Sequence, residues 1–271
     1  MATHGHSLLR VPQNLLQRLE THFRAQSTTA NALTAASAVA TLVAAWLYTD
    51  YRAWTAFGTG GTPPTPSGYW RMTKIRISRL LSSDSLRDAS SLNPNTPSFL
   101  KIKLPSRSHV DRPRIQSRTM PQRQYPSSPP LPRDVKHRLH TLCKSYSDRY
   151  PDFLTLAPSA VEGFSADAIY AHPDLPHRPA SASDRWLKNE IAHAHHEDDS
   201  LHVWLTEADC RAVVESGWGE RFPLAADPFR ILHPGQTFVY APRPGQGAMA
   251  DVDVIEEIFR AGIRHVTGEE I

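Results

Sequence analysis

Residues Glu190 to Leu205 read Glu-Ile-Ala-His-Ala-His-His-Glu-Asp-Asp-Ser-Leu-His-Val-Trp-Leu, and four of the chain's 14 histidines fall there. Two β-capable runs flanking acidic turn residues form a hairpin pattern: Ile191 to His196, the turn Glu197 to Ser200, then Leu201 to Leu205. Side chains alternate along a strand, so His193 and His195 share a face and His196 takes the other. A turn over Glu197 to Ser200 pairs His196 with Leu201 and His195 with His202. It groups His193, His195 and His202 on one face, with Ala192, Ala194, Leu201 and Val203 on the other. Clustered imidazoles suit proton transfer near neutral pH or the binding of Zn²⁺. The plainer alternative is a set of half-exposed strand histidines bonded to their neighbours. Strict alternation sends Glu190 to the apolar face, so only a bulge would bring it to the histidines. Asp198 and Asp199 are expected to be solvated turn residues.

A second group of residues follows the hairpin. Thr206 to Ser216 has helical spacing, with Thr206 as N-cap, Asp209 three residues on, and Gly217 in the left-handed C-terminal position. In Gly217-Trp218-Gly219-Glu220-Arg221-Phe222 the glycines let the backbone turn sharply while the indole packs. Arg221 then points into a pocket or pairs with a carboxylate. Gln236 to Ala241 has the pattern of a strand and includes Tyr240; Arg243 lies just past it. Met249 to Val266 is a helix with Val252, Ile255, Phe259, Ile263 and Val266 on one face. Before the hairpin, Asp134 to Tyr150 has helical spacing and Pro151 ends it. Phe153 to Leu156 and Val161 to Tyr170 are expected strands, and 171–183 a loop. Helices and strands without regular βαβ alternation predict an α+β domain with a mostly antiparallel sheet and flanking helices, over 132–271.

The N-terminal half is organised differently. Val11 to Arg24 has the spacing of a short basic amphipathic helix, inside a segment 1–27. Thr28 to Thr49 holds no charged residue over 22 positions and ends in Trp46-Leu47-Tyr48. About 20 apolar residues span a bilayer, with amphipathic rings at the interface, so 28–57 is expected to be one membrane helix. A buried helix or a secretory signal would be the alternative, but the apolar run is too long and starts too late for a signal. The basic residues Arg52, Arg71, Lys74, Arg76 and Arg79 lean toward a single-pass protein with a cytosolic C-terminal side. Gly58 to Gly68 is expected to be loop throughout, and it lacks the Gly-Lys-Ser/Thr of a phosphate-binding turn. Tyr69 to Leu81 mixes basic and apolar residues like an interfacial helix on anionic headgroups. Ser82 to Pro132 is rich in Ser, Pro and Arg and is expected to be a linker, or else an arm draped over the domain.

Whole-chain properties narrow the function. A formal charge of +3 over 271 residues, with no dense basic stripe, gives no support for nucleic-acid binding. Two cysteines in unrelated contexts make neither a disulfide scaffold nor a zinc ribbon. Both that and the absence of an Asn-x-Ser/Thr sequon suit a catalytic part on the reducing side of a membrane.

Glu190-Ile-Ala-His193-x-His195, Ser200-Leu-His202, Gly217-Trp-Gly-x-Arg221-x-Pro-Leu-Ala225 and Tyr240-Ala-Pro-Arg243, in that order, resemble the luciferase-domain family. That family includes the luciferases of luminous fungi. The resemblance covers Val135 to Gly268 closely and Asn31 to Leu81 loosely. It implies a membrane-anchored enzyme that adds O2 to a hydroxylated styrylpyrone with no metal or organic cofactor; the strained peroxide then loses carbon dioxide. Two positions depart from the family pattern: Phe222 stands where His is usual, and Ala226 where Gly is usual. On the chemistry of the residues, His193 or His195 is the expected base and Glu190 its orienting carboxylate, with His202 beside them. Arg221 and Arg243 would hold enolate or lactone oxygens. Trp204, Trp218, Tyr240 and Phe222 would contact a flat ring. Two further readings stay open: a non-catalytic small-molecule-binding or scaffold protein, and a histidine metal site.

Overall fold

The computed structural model describes residues 28–116, 122–164, 166–176 and 187–271, with Pro179 and scattered residues between 13 and 21. Most of the amphipathic segment expected at Val11 to Arg24, and six of the 13 residues of the loop expected at 171–183, fall outside them. The chain divides into two compact units, Met1–Ala56 and Phe57–Ile271.

The first unit is dominated by helix α1, Thr28–Phe57, 30 residues with a mean hydropathy of 1.5 in its most apolar stretch. At 1.5 Å per residue it is roughly 45 Å long. It is long and apolar enough to cross a membrane. Leu33, Val39, Leu42, Val43, Trp46, Leu47 and Tyr48 are all exposed along it.

The second unit is an α+β fold. Its six-stranded sheet has the order β1-β2-β3-β4-β6-β5, every pair antiparallel. The strands are β1 Leu154–Pro158, β2 Asp167–Ala171, β3 Glu190–Ala194, β4 Leu201–Trp204, β5 Gly219–Arg221 and β6 Gln236–Val239. Among the described residues, five further α-helices complete it: α2 Pro66–Leu81, α3 Arg133–His140, α4 Leu142–Arg149, α5 Glu207–Glu215 and α6 Ala248–Thr267. The single helix expected over Asp134 to Tyr150 is two, divided at Thr141. Helix α2 starts earlier than expected, at Pro66. Thr65 caps it by accepting the Gly68 N–H at 3.2 Å, and proline costs nothing in a first turn whose N–H groups lack partners anyway. The Thr206 cap on α5 is as expected, its hydroxyl accepting from the Asp209 N–H at 3.1 Å.

Helix α6 covers one face of the sheet. Val252, Ile255, Phe259, Ile263 and Val266, the expected apolar face, are fully buried. Gly262 permits the contact: a Cβ there would meet Val203 Cγ1 at 2.7 Å and the Trp204 carbonyl at 3.1 Å. Ala192, Val203 and Thr237 form a cross-strand row, and Arg221 extends it onto β5. The other face carries the row His193, His202, Phe238 and Glu220.

The Pro/Ser-rich stretch is an arm that packs, rather than a free linker. Ala89, Leu92, Leu104 and Leu131 are buried, and Pro105 accepts the Trp218 indole N–H at 2.7 Å. Its Gln122, Arg123 and Gln124 side chains are also buried. Proline spacing hides this from a reading based on apolar content, because the arm is anchored through polar groups. A chain starting at Pro132 therefore loses part of its core. It is expected to unfold without a cooperative thermal transition in circular dichroism, whereas a chain starting at Phe57 melts sharply.

Candidate active site

The hairpin register differs from expectation by two residues. His193 opposes His202 and Ala194 opposes Leu201, so the turn is His196 to Asp199. Asp199 closes it in the left-handed region (φ 61°), donating its N–H to the His195 carbonyl at 3.0 Å. A shift of two preserves the faces, so His193, His195 and His202 still share one. The expected pairs His195–His202 and His196–Leu201 do not form.

Glu190 joins them through a bulge. Ile169 pairs with Ala192 but Tyr170 pairs with Glu190, which leaves Ile191 as the extra residue on β3. The Glu190 carboxylate lies 2.6 Å from His193 Nδ1. It also accepts from the Ser159 hydroxyl at 2.9 Å and the Tyr170 hydroxyl at 2.8 Å.

From Glu190 a continuous hydrogen-bonded chain runs through the site. His193 Nε2 lies 3.1 Å from His195 Nε2, and His195 Nδ1 lies 2.8 Å from Ser200 Oγ. Ser200 Oγ donates to Asp198 Oδ1 at 2.8 Å. Arg123 enters from the arm: Nη1 donates to His195 Nε2 at 2.9 Å and Nη2 to Glu162 Oε2 at 2.7 Å. These bonds fix the protons. His195 Nε2 receives from both Arg123 and His193, so His195 is neutral with its proton on Nδ1. His193 donates from both nitrogens and is an imidazolium.

The electrostatics agree. Burial works against charge on His193, but Glu190 and Glu162 outweigh it and raise its pKa to about 9. Burial and then the Arg123 charge hold His195 well below the usual histidine range. Burial, then His195 and His193, do the same to His202. Glu162 is held well below the carboxylate range: burial opposes its ionisation, and His193, with Nε2 3.5 Å from Glu162 Oε1, and Arg123 overcome it. Asp198 and Asp199 are buried, contrary to expectation. Asp198 accepts the Gln124 N–H at 2.6 Å, and Asp199 binds His140 at 2.8 Å and Lys136 at 2.9 Å.

A pocket opens over the row. Glu162, Glu190, His193, His202 and Gln236 supply its polar wall, and Val161, Ile191, Leu187, Phe222 and Leu232 much of its apolar one. His202 stacks on His193 with ring centroids 5.1 Å apart and meets Phe222 edge-on at 4.8 Å. His202 Nε2 is buried with no hydrogen-bond partner. A buried unpaired polar atom costs about 1–3 kcal/mol, so a hydrogen-bonding group arriving in the pocket is favoured there. A second, outer cavity shares Gly60, Val161, Phe222 and Leu232 with it and is lined by the Gly60 to Pro63 loop and by Arg71, Met72 and Ile75 of α2.

Not every expected residue reaches this pocket. Arg221 lies on the opposite face and is bound to Asp84, to the Ser91 hydroxyl at 2.9 Å and to the Ser85 carbonyl at 2.8 Å. Arg243 is paired with Asp251 at 2.6 Å. Trp204 is fully buried in the core against His233 and His265. Trp218 is buried under Arg107 and Arg243. Tyr240 donates to Glu220 at 3.0 Å. His195 stands behind His193 rather than in the pocket wall.

Glu162, His193 and His195 present ligand atoms within 4.8 Å of one another, a spacing open to a metal ion. Arg123 bonds two of the three, His195 and Glu162.

The luciferase-domain model matches residues 188–262, which span β3 to α6. A luciferase of Armillaria mellea is 30% identical over 246 residues, 86% of this chain and 87% of that protein. The chain belongs to the luciferase-domain family. A luciferase of Armillaria gallica is 28% identical over 251 residues, 89% of each chain. One from Neonothopanus nambi is 35% identical over 127 residues, 45% of this chain and 46% of that protein. No solved structure matches. The model's span excludes Arg123 and Glu162, so this luciferase-domain chain completes its histidine cluster from outside the matched region. Sequence reasoning missed both residues. Arg123 lies in a Pro-rich stretch with no periodicity, and Glu162 lies in a turn that was expected to be strand. Asp198-x-Ser200, an acidic residue two before a hydroxyl, was the one available signal for the far end of the chain.

Proposed function

We propose that this luciferase-domain protein is a membrane-anchored, oxygenase-like enzyme acting with O2 on a small, planar, enolisable molecule of the pyrone class. The observation that carries the reading is the orphaned His202 Nε2 in a pocket shared with the His193 imidazolium. The substrate enol donates to His202 Nε2 and passes its proton there. A base of lowered pKa is matched to an acidic vinylogous enol rather than to a simple phenol. The resulting anion faces the His193 charge, which Glu190 holds in place. The enolate carbon then gives its electron pair to O2 and a peroxide forms. No resident metal or organic cofactor enters this scheme, following the family resemblance; the bonds of Arg123 to His195 and Glu162, two of the three groups a metal would need, support the metal-free part of it. Its names as luciferases make the Armillaria relatives the reason to choose O2 as co-substrate. The α1 helix is the anchor, and the basic residues after it set the C-terminal unit on the cytosolic side.

Oxygen uptake by membranes carrying the full chain, across a panel of pyrone and phenolic enols, tests this. Uptake should require a pyrone-like enol and fall at least 100-fold in His202→Gln, the scale of a lost general base. Binding of the same enols without uptake would establish the non-catalytic ligand-binding reading, which Phe222 in the pocket favours. Stoichiometric transition metal in the purified protein, removed by chelator together with activity, would establish the metal reading.

Phe222→His gives a separate expected result. It restores the imidazole of the family pattern beside His202, 4.8 Å between ring centroids in the present chain. Turnover of the fungal luciferin should rise. Unchanged turnover would show that the position only packs.

A further inference from the structure

Helix α2 has two faces with different fates. Gly68, Tyr69 and Met72 are buried. Trp70, Lys74, Ile77 and Leu81 recur at four-, three- and four-residue steps and form one exposed stripe, with Arg71 and Leu80 beside it. Trp70 is 57% exposed, Ile77 46%, Leu80 72% and Leu81 82%. A soluble surface rarely gathers large apolar side chains on one helix face, and when it does the face is used. An apolar stripe with interleaved basic groups is the pattern of a helix lying in a bilayer interface. Lysine and arginine stems lie along the apolar layer while their charges reach anionic headgroups. Eight residues, 58–65, separate α2 from the membrane-length helix α1.

The inner side of the same helix borders the outer cavity beside the active-site pocket. Arg71, Met72 and Ile75 line it, opposite Ala160, Val161 and Leu224. Ile231, 49% exposed, and Lys188 stand at its rim. Gly61 (φ 72°) seats the loop here, since a Cβ would meet the Val161 carbonyl at 2.8 Å. One element therefore carries both the apolar outer stripe and a wall of the entrance.

We propose that the outer stripe of α2 docks on an anionic bilayer surface, so that the pocket entrance opens at the headgroup layer and takes its apolar, acidic substrate from the lipid phase. This rests on the anchoring and pocket readings above. Phosphatidylcholine, offering the same apolar layer without net charge, would bind the stripe more weakly.

The test uses the full chain reconstituted into phosphatidylcholine–phosphatidylglycerol vesicles, with Ile231→Cys carrying an environment-sensitive fluorophore. Cys143 and Cys210 do not compete for label, since both are buried with thiols pushed up to about 12. Val110→Cys, 89% exposed and remote from α2 in sequence, is the reference. The Ile231 label should shift to the blue and be quenched by brominated lipid, more with phosphatidylglycerol than without it, while the Val110 label stays aqueous. The combined variant Ile77→Glu, Leu80→Glu, Leu81→Glu should still sediment with vesicles through α1 but lose the shift. Sedimentation with an aqueous Ile231 label overturns the docking and leaves the anchor standing. A chain that does not sediment overturns both. A shift that grows with protein-to-lipid ratio assigns the stripe to a second copy of the chain and also overturns the proposal.

Discussion

Arg123→Met is expected to lower the stability of the full chain by about 3–5 kcal/mol, the usual consequence of removing one partner from a buried ion pair. The guanidinium is buried and bonds Glu162 at 2.7 Å and His195 at 2.9 Å. Its loss leaves the Glu162 carboxylate in a site with less positive charge, and it deprives His195 Nε2 of a donor. Adding Glu162→Gln removes the stranded charge and should recover much of the loss, which makes the coupling visible as a double-mutant cycle. Arg123→Lys should recover less than wild type, because an ammonium is a point charge and cannot span both partners with a rigid fork. The cycle is read from thermal or urea unfolding of detergent-solubilised protein. A cost below about 1 kcal/mol would mean that the pair is solvated like a surface bridge. The same variant has a second readout. With the guanidinium gone, Glu162, His193 and His195 keep ligand atoms within 4.8 Å of one another, and zinc should bind to Arg123→Met but not to the parent chain.

That prediction begins with a residue the sequence did not reveal. The hairpin was legible because alternation is strict: three imidazoles at positions 193, 195 and 202 share a face under any register shift by two. The register itself was not, because four acidic and polar residues can close at more than one place. It is the left-handed Asp199, and the Asp198 side chain bonded back to Ser200, that set it. The membrane-length helix, the Thr206 cap and the apolar face of α6 were readable as local periodicity. Arg123 and Glu162 were not. Each is fixed by tertiary contact alone: one at the end of a proline-rich arm, the other in a turn that places a carboxylate over the sheet. Glu190 fell between the two cases. Alternation put it on the wrong side, and the bulge at Ile191 corrects that. Arg221 shows the opposite error: a charged residue in a suggestive motif is spent on Asp84 across the sheet from the histidines.

Glu190→Gln should reduce oxygen uptake at pH 7 by roughly 100-fold or more, the scale of losing one charge that stabilises a developing oxyanion. The geometry survives in this variant, since an amide oxygen still accepts from His193 Nδ1, and the hydroxyls of Ser159 and Tyr170 still find an acceptor. The change is electrostatic. Burial disfavours the His193 imidazolium, and the carboxylate of Glu190 is the largest effect opposing it. With that charge removed, His193 loses its proton at lower pH. The sign follows directly. On the proposed reading the working form carries the proton on His193, so activity in the parent chain should be present below about pH 9 and fall as pH rises through that value. In Glu190→Gln the alkaline limb should move toward neutrality, and the rate lost at pH 7 should partly return at pH 5.5. Stability follows the same group. A folded pKa raised above the unfolded value of 6.5 stabilises the fold at low pH, and that contribution disappears as pH rises through about 9. His202, held neutral, acts in reverse and weakens the fold as acid protonates its unfolded counterpart. A pH–rate profile of oxygen uptake for the two proteins decides the point. An alkaline limb at the same pH in both would show that Glu190 does not hold the charge on His193, and the proton chain from Glu190 to Asp198 would then be structural only.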